Sequence, residues 1–486
     1  MMQDWANWGI ETAKLRGATY ADARVMDIRQ RDISTKNGEV GNLMESETLG
    51  IGIRVVASGA WGFASTDRLS REGVQACAAQ AVAIAKASAL AMRENVALAP
   101  EQSYVDTWQN PFLKDPFRIP VERQIDLLLA ADKEMRRVKG VTLAEGAMSF
   151  RRIDQLFVSS TGSSIHQLKM QSGAGIVATS FAAGEIQKRS YPNSFGGQHT
   201  LEGYELIESL DLVGNAQRIG EEAVALHSGA QCPEGTSTIV LGASQLSLQI
   251  HESIGHPIEL DRVLGQEANF AGMSFLTVEK LRKLKYGSEI VNVVADARLA
   301  HGPGLGTFAY DDEGVPAQCT PIITNGLFTG YLSNRETAAA IGEKRSNGTM
   351  RTESWNRLPI IRMTNISLNP GTWKYDDLIA DTDDAILMET NRSWSIDDRR
   401  YHFQFSTEIG WEIKNGKKAR MIKNPSYSGI TTEFWNSCDA ICSRDYWTLW
   451  GTPNCGKGQP QQTMGTGHGA APARFRKFRV GMAFAK

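Results

Sequence analysis

The spacing of two histidines in one short segment constrains the local fold of this chain more than any other feature. His251 and His256 flank Glu252 in the pattern H-E-x-x-x-H, which is one residue longer than the H-E-x-x-H zinc-binding helix. Five steps of about 100° leave the two rings roughly 140° apart on an ideal α-helix. A regular helix therefore cannot direct both imidazoles at one ion. We predict that the helix either widens into a π-turn here or ends at Gly255.

The residue types in this segment suit metal-assisted hydrolysis. Two imidazoles are typical ligands of a borderline-soft divalent metal such as zinc. Glu252, beside the first histidine, can accept a proton from water that the metal activates. A buried helix with one hydrogen-bonded histidine would show the same letters by chance. The motif by itself leaves two interpretations open, a distorted metal-binding helix and a coincidence.

A third ligand has to come from elsewhere, because an open catalytic zinc site uses three protein ligands and a water. The six cysteines form no C-x-x-C pair. Cys455 lies in a segment interrupted by Pro and Gly, which predicts a loop rather than a helix or central strand, and Lys457 nearby would favour the thiolate. We interpret Cys77, Cys232 and Cys319 as small buried side chains. Cys455 is the better candidate ligand.

Several segments in order resemble one family. Residues Val240 to Arg262 are similar to the signature of the TldD/PmbA (TldE) family, described as candidate modulators of DNA gyrase. The runs Asp311–Pro316, Leu358–Asn365 and Asn454–Lys457 resemble the same family. The resemblance is strongest over roughly residues 235–465, and weaker similarity extends into the N-terminal half.

This resemblance implies a zinc metallopeptidase. It implies that His251 and His256 bind Zn²⁺, that Cys455 is the third ligand, and that Glu252 is the general base. TldE-type members lack the metal motif, so this chain resembles the catalytic TldD side. The family also implies a homodimer, or a heterodimer with a TldE/PmbA-like subunit, and unfolded or leader peptides as substrates.

The glycine-rich segment after Cys455 differs in detail from the family. His468 lies in it between two glycines. It could donate a hydrogen bond to a developing oxyanion and so contact substrate, or it could be an exposed loop residue. We favour the substrate-binding interpretation, because the resemblance places this segment just after a ligand.

The length and composition of the chain limit its architecture. A chain of 486 residues is too long for one hydrophobic core. We expect an α+β protein with two domains, a mixed α/β domain over 1–230 and a β-rich domain over 231–486 that carries the metal-binding helix. The expected boundary is the segment 231–235, which contains Pro and Gly. The predicted helices and strands are helices at 3–17, 69–90, 121–138 and 204–228, short strands between 141 and 190, a buried strand at 236–241, and hairpin turns at 325–326 and 415–416.

The charge balance and the cysteines bear on partners and location. The net charge is −2, which gives no electrostatic case for nucleic acid or an anionic membrane. No run of about 18 apolar residues is present, so we expect no membrane span. Dispersed cysteines fit a reducing cytoplasm. The basic and aromatic segment 474–479 could bind nucleic acid, but we favour a C-terminal strand with cations on its wet face.

The sequence thus predicts a zinc-dependent peptidase that acts on extended peptides. Two alternatives are kept. The chain could be a non-catalytic peptide-binding or assembly subunit of a TldD–TldE-like complex, although the intact ligand set argues against this. It could also hydrolyse a modified conjugate in a biosynthetic pathway.

Overall fold

The computed structural model describes residues 1–267 and 272–481. The first 230 residues contain a large, mainly antiparallel sheet and five α-helices. The strands of this part are β1 (Tyr20–Lys36), β2 (Glu39–Ala57), β3 (Ala60–Thr66), β4 (Val105–Gln109), β5 (Val141–Ser159), β6 (Ser164–Ala182), β7 (Glu185–Tyr191) and β8 (Gln198–Thr200). The helices are α1 (Met2–Leu15), α2 (Arg71–Ala89), α3 (Val121–Arg137), α4 (Tyr204–Ser209) and α5 (Leu212–Ala225), with 3₁₀ turns at Pro116–Arg118 and Leu226–Ser228.

The first sheet has the strand order β3-β2-β1-β5-β6-β4, and β7 and β8 both pair with β6. One face is apolar and packs against α1 and α2 at one end and against α3 and α5 at the other. Alternate residues of β1, such as Val25 and Ile33, lie on this face. The opposite face carries many polar side chains and is directed at the C-terminal half. This alternation follows from the two-residue period of a strand.

The C-terminal half is built mainly from strands. These strands are β9 (Ala230–Gln231), β10 (Gly235–Leu241), β11 (Val293–Asp296), β12 (Cys319–Thr324), β13 (Leu327–Phe328), β14 (Met350–Arg351), β15 (Ile360–Ile361), β16 (Ile366–Leu368), β17 (Asp384–Ile396), β18 (His402–Lys414), β19 (Lys417–Lys423), β20 (Ser426–Ile430), β21 (Cys438–Ile441), β22 (Thr448–Lys457), β23 (Gln462–Ala470) and β24 (Ala473–Val480). The helices are α6 (Ala243–Ile250), α7 (Leu260–Val263), α8 (Arg335–Ala340), α9 (Tyr375–Ala380) and α10 (Thr431–Asn436), a π-turn at His251–Gly255, and 3₁₀ turns at Val278–Lys280, Leu299–His301 and Arg444–Tyr446.

The main C-terminal sheet has the order β17-β10-β24-β20-β18-β19-β9, with β21 paired to β24. β10 lies inside it, parallel to β17 and antiparallel to β24. Ile239, Val240 and Leu241 at the end of β10 are fully buried, and burial of each such side chain contributes about 1.5–3 kcal/mol. Since α6 begins immediately after this strand, the sheet fixes the position of the helix. A separate two-stranded ribbon, β22–β23, faces α6.

The architecture confirms the expected α+β class with a β-rich C-terminal half. The predicted helices at 3–17, 69–90 and 121–138 are present as α1, α2 and α3, and the Ser70 side chain caps α2. The hairpin turns at 325–326 and 415–416 are also present, with positive φ at both residues of each. The division at residue 230 stays a prediction, and residues 482–486 of the predicted second domain lie outside the described residues.

Three expectations need correction. The predicted helix at 204–228 is broken into α4 and α5 because Asp211 takes a left-handed conformation and caps α5 with its side chain. The short strands expected between 141 and 190 are instead mainly two 19-residue strands, β5 and β6, which pair along most of their length. The segment 474–479 is the favoured strand, and Lys477 and Arg479 are exposed as expected. The strand lies inside its sheet, however, and Arg474 is buried against Asp439.

A candidate metal centre between a helix and a ribbon

The helix that carries the H-E-x-x-x-H motif changes geometry at its first histidine. α6 is regular, whereas the next five residues, His251–Gly255, form a π-turn. The His256 N–H donates to the His251 carbonyl at 3.1 Å, a bond that spans five residues. The wider turn absorbs the extra residue and places the two imidazole centroids 4.8 Å apart. The predicted π-turn is therefore confirmed. We call α6, the π-turn and His256 the helix wall.

Close packing explains the glycine at the end of the π-turn. A Cβ added at Gly255 would lie 2.1 Å from the sulfur of Met363, and Met363 is fully buried. The buried Ser253 hydroxyl, two residues before Gly255, accepts a hydrogen bond from the Trp435 indole at 3.0 Å. The π-turn is thus held against the core from both sides, and Trp435 itself is fully buried.

The first histidine is oriented by another histidine. His468 Nδ1 lies 3.3 Å from the Ile366 carbonyl, and His468 Nε2 lies 2.7 Å from His251 Nδ1. A carbonyl oxygen can only accept, so His468 donates from Nδ1 and accepts at Nε2. His251 therefore donates from Nδ1, which leaves the lone pair on its Nε2. Burial and the neighbouring His251 hold the pKa of His468 well below its usual range, which keeps this relay neutral.

This arrangement changes the interpretation of His468. The ring is fully buried behind His251, and both of its nitrogens already have partners within the protein. It lies on the ribbon strand β23 and not in an exposed loop. Contact between His468 and substrate stays a prediction, but the geometry assigns the ring a different task, which is to fix the tautomer of His251.

The second histidine is oriented by a carboxylate. His256 Nδ1 lies 3.2 Å from Glu259 Oε2, and the Arg262 guanidinium also donates to this oxygen at 2.7 Å. Burial raises the pKa of Glu259, but Lys457 and Arg262 outweigh burial and hold it well below the usual range. A charged Glu259 accepts from His256 Nδ1–H and leaves His256 Nε2 free to bind a metal. Such partners typically fix metal-ligating histidines.

The candidate third ligand approaches from the ribbon. Cys455 Sγ lies 3.8 Å from His256 Nε2, and ligand atoms of His251, His256 and Cys455 all fall within 4.8 Å of one another. The segment is strand β22 and not the predicted loop. Pro453 is tolerated because the pairing with β23 shifts register between Thr452 and Cys455, where a ladder N–H is dispensable.

The cation that favours the Cys455 thiolate is not the predicted one. Burial raises the pKa of the Cys455 thiol, but Arg362 and then His256 outweigh burial, and the net shift is downward. Arg362 is fully buried and donates to the Cys455 carbonyl. Lys457 instead makes ion pairs with Asp261 at 2.7 Å and Glu259 at 3.5 Å. Its place in the site is therefore to anchor the ribbon to the helix wall.

Glu252 lines the cavity next to the ligands and meets an arginine that the sequence did not reveal. Arg400 Nη1 lies 2.5 Å from Glu252 Oε2. The backbone of Arg400 has a φ of 63°, which costs a non-glycine residue about 1–3 kcal/mol. Its N–H donates to Asp397 O and its carbonyl accepts from the Thr431 hydroxyl, both at 2.9 Å. The ion pair fixes where the Glu252 carboxylate lies on the cavity wall.

A cavity of about 220 Å³ connects these groups. The helix wall and ribbon line it, and the N-terminal half contributes Phe195 from the turn before β8. Phe195 packs edge-on against Trp394, with ring centroids 5.1 Å apart. The cavity therefore has a polar, ligand-bearing side and an aromatic rim, a combination typical of sites that bind part of an organic substrate.

The donor set fits a divalent metal. Burial lowers the pKa of both His251 and His256 to about 4, so both rings are neutral near pH 7, and neutral imidazole is the form that binds a metal. The depressed pKa of Cys455 acts in the same direction. Two nitrogens and one sulfur with an adjacent cavity match the donor types of open zinc sites. Among residues 1–267 and 272–481, these three form the one cluster of this kind.

Four of the residues at this site were predicted from the sequence, and others were not. His251, Glu252, His256 and Cys455 meet as expected. Arg400 was missed, because it lies about 150 residues from Glu252 and no local pattern marks it. Glu259 could have been identified, since a carboxylate three residues after a histidine can reach its ring on a helical turn.

Family models match most of the chain. The model described as "PmbA/TldA metallopeptidase C-terminal domain" matches residues 234–481, and "PmbA/TldA metallopeptidase domain 1" matches residues 21–85. A curated metalloprotease of Methanothermobacter thermautotrophicus is 30% identical over 462 residues, covering 95% of each chain. A protein of Saccharolobus solfataricus named "Zinc metalloprotease TldD homolog" is 26% identical over 259 residues, covering 52% of this chain and 53% of the relative.

Solved structures share the fold. A Thermotoga maritima protein described as a candidate modulator of a DNA gyrase superposes with a TM-score of 0.79 at 16% identity, covering 99% of this chain and 100% of that one. TldE from Thermococcus kodakarensis superposes with a TM-score of 0.70 at 15% identity, with the same coverage. At these identities the likeness establishes the architecture alone. No helix in the described part of the chain is long and apolar enough to span a membrane.

Proposed function

Because the chain belongs to the PmbA/TldD metallopeptidase family and is a metallopeptidase, we propose that it is a zinc-dependent, TldD-type peptidase. His251, His256 and Cys455 would hold the ion. The observation that carries this proposal is the convergence of their ligand atoms within 4.8 Å beside a cavity. The relative named a zinc metalloprotease supports zinc as the metal. Bound zinc would activate water and polarise the scissile carbonyl.

Glu252 is the proposed general base. Its carboxylate borders the cavity without belonging to the ligand cluster. It would accept the proton of the attacking water and return it to the leaving amine. Arg400 holds one carboxylate oxygen, Oε2. The other oxygen of the carboxylate can then turn toward the attacking water.

The ribbon offers a place for an extended peptide. β22 pairs with β23 on one side, and no other strand of the described residues pairs with it. On its other edge the Gln198 amide donates to Leu449 O at 2.9 Å and accepts from Gly451 N–H at 3.0 Å. Beyond Gly451 the strand reaches the cavity with Thr452, Asn454 and Cys455. We propose that a substrate backbone adds to this edge, a mode that suits unfolded or leader peptides.

Assembly with a second chain is proposed from an exposed surface. Within β2, residues Val40, Leu43, Met44 and Leu49 are 37–49% exposed. This part of β2 pairs with β1 alone among the described residues, so its other edge is open. Apolar side chains on an open strand edge typically mark an association site. We propose that the chain forms a homodimer or pairs with a TldE-like chain through this edge. Sedimentation would test this, because Leu43→Lys should shift the assembly toward the monomer.

Metal analysis combined with a peptide-cleavage assay tests the proposal. Purified protein should contain about one zinc per chain, and it should cleave an unfolded peptide. A chelator should abolish cleavage, and added zinc should restore it. Cleavage that continues unchanged after complete metal removal would contradict the proposal. If a TldE-like chain is required, activity should appear only when that chain is added.

A further inference from the structure

A second cavity lies between the two halves of the molecule, and its lining is strongly polar. It has a volume of about 180 Å³. The polar face of the first sheet forms its floor. Pro453, Thr463 and Gly465 of the ribbon help to cover it. Pro453 sits between Thr452 and Asn454, which line the metal-centre cavity, so the two cavities lie next to each other along the ribbon.

Strand register brings the polar floor together. Gln30 on β1 pairs with Arg151 on β5, and Arg151 pairs with Gln171 on β6. Directly opposed residues in antiparallel strands share a face. Three adjacent strands therefore present an amide, a guanidinium and a second amide in one row. All three residues line the cavity.

A neighbouring row adds a histidine over a glycine. Gly173 on β6 pairs with His199 on β8, and a Cβ at Gly173 would lie 1.8 Å from His199 Nδ1. The missing side chain lets the imidazole lie directly over the strand. His199 is 8% exposed, and its Nε2 has no hydrogen-bond partner among the described residues. Burial outweighs the opposing effects of the Gly196 backbone and Asp32 and lowers the pKa of His199 to about 4, so the ring is neutral at pH 7.

The Arg151 side chain forms no ion pair with any residue that the structure describes. Its Nη2 donates to the Glu353 carbonyl at 2.7 Å, but its buried Nε has no hydrogen-bond partner in the described part of the chain. Within residues 1–267 and 272–481, no carboxylate oxygen lies within 4.0 Å of this guanidinium. Burial lowers the pKa of Arg151, and Glu353 and Asp32 offset that effect only in part. A partly buried cation in this condition is stabilised by an added anion.

Two further cations, Lys169 and Arg351, lie near Arg151. Lys169 follows Arg151 on the same face, since its register partner is Ile153. Burial lowers the pKa of Lys169 to about 8, and Arg351 and Arg151 contribute to the shift. Burial also lowers the pKa of Arg351 to about 10. Asp312 offsets part of both shifts, so Lys169 and Arg351 add positive charge near Arg151 that this carboxylate compensates only in part.

We propose that this second cavity binds a single carboxylate through Arg151, Gln171 and His199. A guanidinium and neutral donors match one negative charge, and Asp32 and Glu353 nearby disfavour a doubly charged phosphate. The carboxylate has two possible sources, an acidic side chain or C-terminus of the peptide substrate, or a small free carboxylate. The peptide source rests on the proposed peptidase function, whereas the free source does not.

The first experiment measures binding without using activity. The melting temperature of the zinc-loaded protein is followed against increasing acetate, glutarate and inorganic phosphate, with chloride keeping the ionic strength constant. Ligand that binds the folded state raises the melting temperature. Wild type and the control Arg152→Gln should respond to the carboxylates. Arg152 is adjacent, carries the same charge and is 44% exposed. Arg151→Gln should lose the response and Arg151→Lys should retain part of it.

The second experiment compares peptides that differ at one group. Peptide pairs carry Glu or Gln at each position, or a free or amidated C-terminus. Loss of a charged hydrogen-bond partner predicts a fall of about 10- to 100-fold in kcat/KM for the acidic peptide with Arg151→Gln, and little change for its neutral partner. Gln171→Leu leaves the charge of Arg151 in place and should cause a smaller fall in kcat/KM. This variant replaces Arg151→Gln in the experiment if Arg151→Gln does not fold.

The outcomes separate the two sources. Discrimination between peptides that depends on Arg151 assigns the carboxylate to the substrate. A carboxylate-dependent melting shift without peptide discrimination assigns it to a free molecule. The proposal is overturned if neither effect occurs, or if phosphate stabilises the protein more than the carboxylates do. If wild type cleaves no peptide, the peptidase function fails, and the melting experiment still decides the carboxylate site.

Discussion

The two walls of the metal centre contribute to it in different ways. The helix wall supplies His251, Glu252 and His256 from six consecutive positions, and a π-turn brings both rings to one side. The ribbon wall, β22–β23, supplies Cys455 as the third candidate ligand and His468 as the support for His251. One wall is a contiguous motif and the other is assembled by tertiary packing. A functional centre of this kind can thus be half visible in sequence and half dependent on the fold.

Removing the ribbon ligand should have the largest effect. Cys455→Ala leaves two histidines, which is too few for a stable site. We expect loss of bound metal and a fall of activity to background. Metal quantification and peptide turnover on the same sample check this. Cys319→Ala is the matched control, because this half-buried thiol belongs neither to the ligand cluster nor to the lining of the cavity. Normal metal content in Cys455→Ala would show that the ribbon supplies no ligand.

Removing the base from the helix wall should separate chemistry from metal binding. Glu252→Gln keeps the shape of the side chain but cannot accept the proton. We expect near-normal metal content and a fall in turnover of about 10²–10⁴-fold. The measurement is kcat beside zinc content for the variant and wild type. Full turnover by this variant would refute the assignment of Glu252 as general base.

The relay between the walls should have a smaller effect. His468→Phe removes the acceptor for His251 Nδ1–H, and we expect about 10- to 100-fold weaker metal affinity. His468→Gln, whose carbonyl can accept the same hydrogen bond, should recover part of that affinity. Competition with a metal-binding dye gives the affinities. Equal affinity in all three proteins would mean that His468 does not position the ligand.

Proton uptake should affect stability modestly and in a defined direction. In the metal-free protein the pKa of His256 is lowered to about 4 by burial, against about 6.5 in the unfolded chain. Between these values the unfolded state binds more protons, so stability falls as the pH drops from 6.5 to 4, by about 3 kcal/mol for this group. The urea concentration at the unfolding midpoint should fall less steeply with decreasing pH for His256→Gln than for wild type. An equal pH dependence of the two midpoints would contradict the lowered pKa of His256.

The features of the helix wall and of the overall fold that depend on local sequence were predicted well. The distorted helix followed from geometry alone, since the rings of two histidines five positions apart cannot converge on a regular α-helix. The predictions of helices α1, α2 and α3 and of the two Asn-Gly hairpin turns were also correct. The α+β class and the β-rich C-terminal half followed from the same local patterns.

The ribbon was predicted less well because its structure depends on distant partners. Pro453 and the glycines around Cys455 suggested a loop, but a register shift in the β22–β23 pair accommodates them. Lys457 was assigned to the thiolate by proximity in sequence, whereas its ion pairs lie with Asp261 and Glu259. Arg400 had no sequence signal at all. Side-chain partners across 100 or more residues are not encoded in any local pattern.

X-ray absorption at the zinc edge identifies the atoms bound to the metal and so tests whether the helix and the ribbon share one centre. In wild type we expect two nitrogen scatterers at about 2.0–2.1 Å and one sulfur at about 2.3 Å. The sulfur contribution should disappear in any zinc retained by Cys455→Ala. A wild-type spectrum without sulfur, or one that Cys455→Ala leaves unchanged, would contradict a centre shared by the helix and the ribbon.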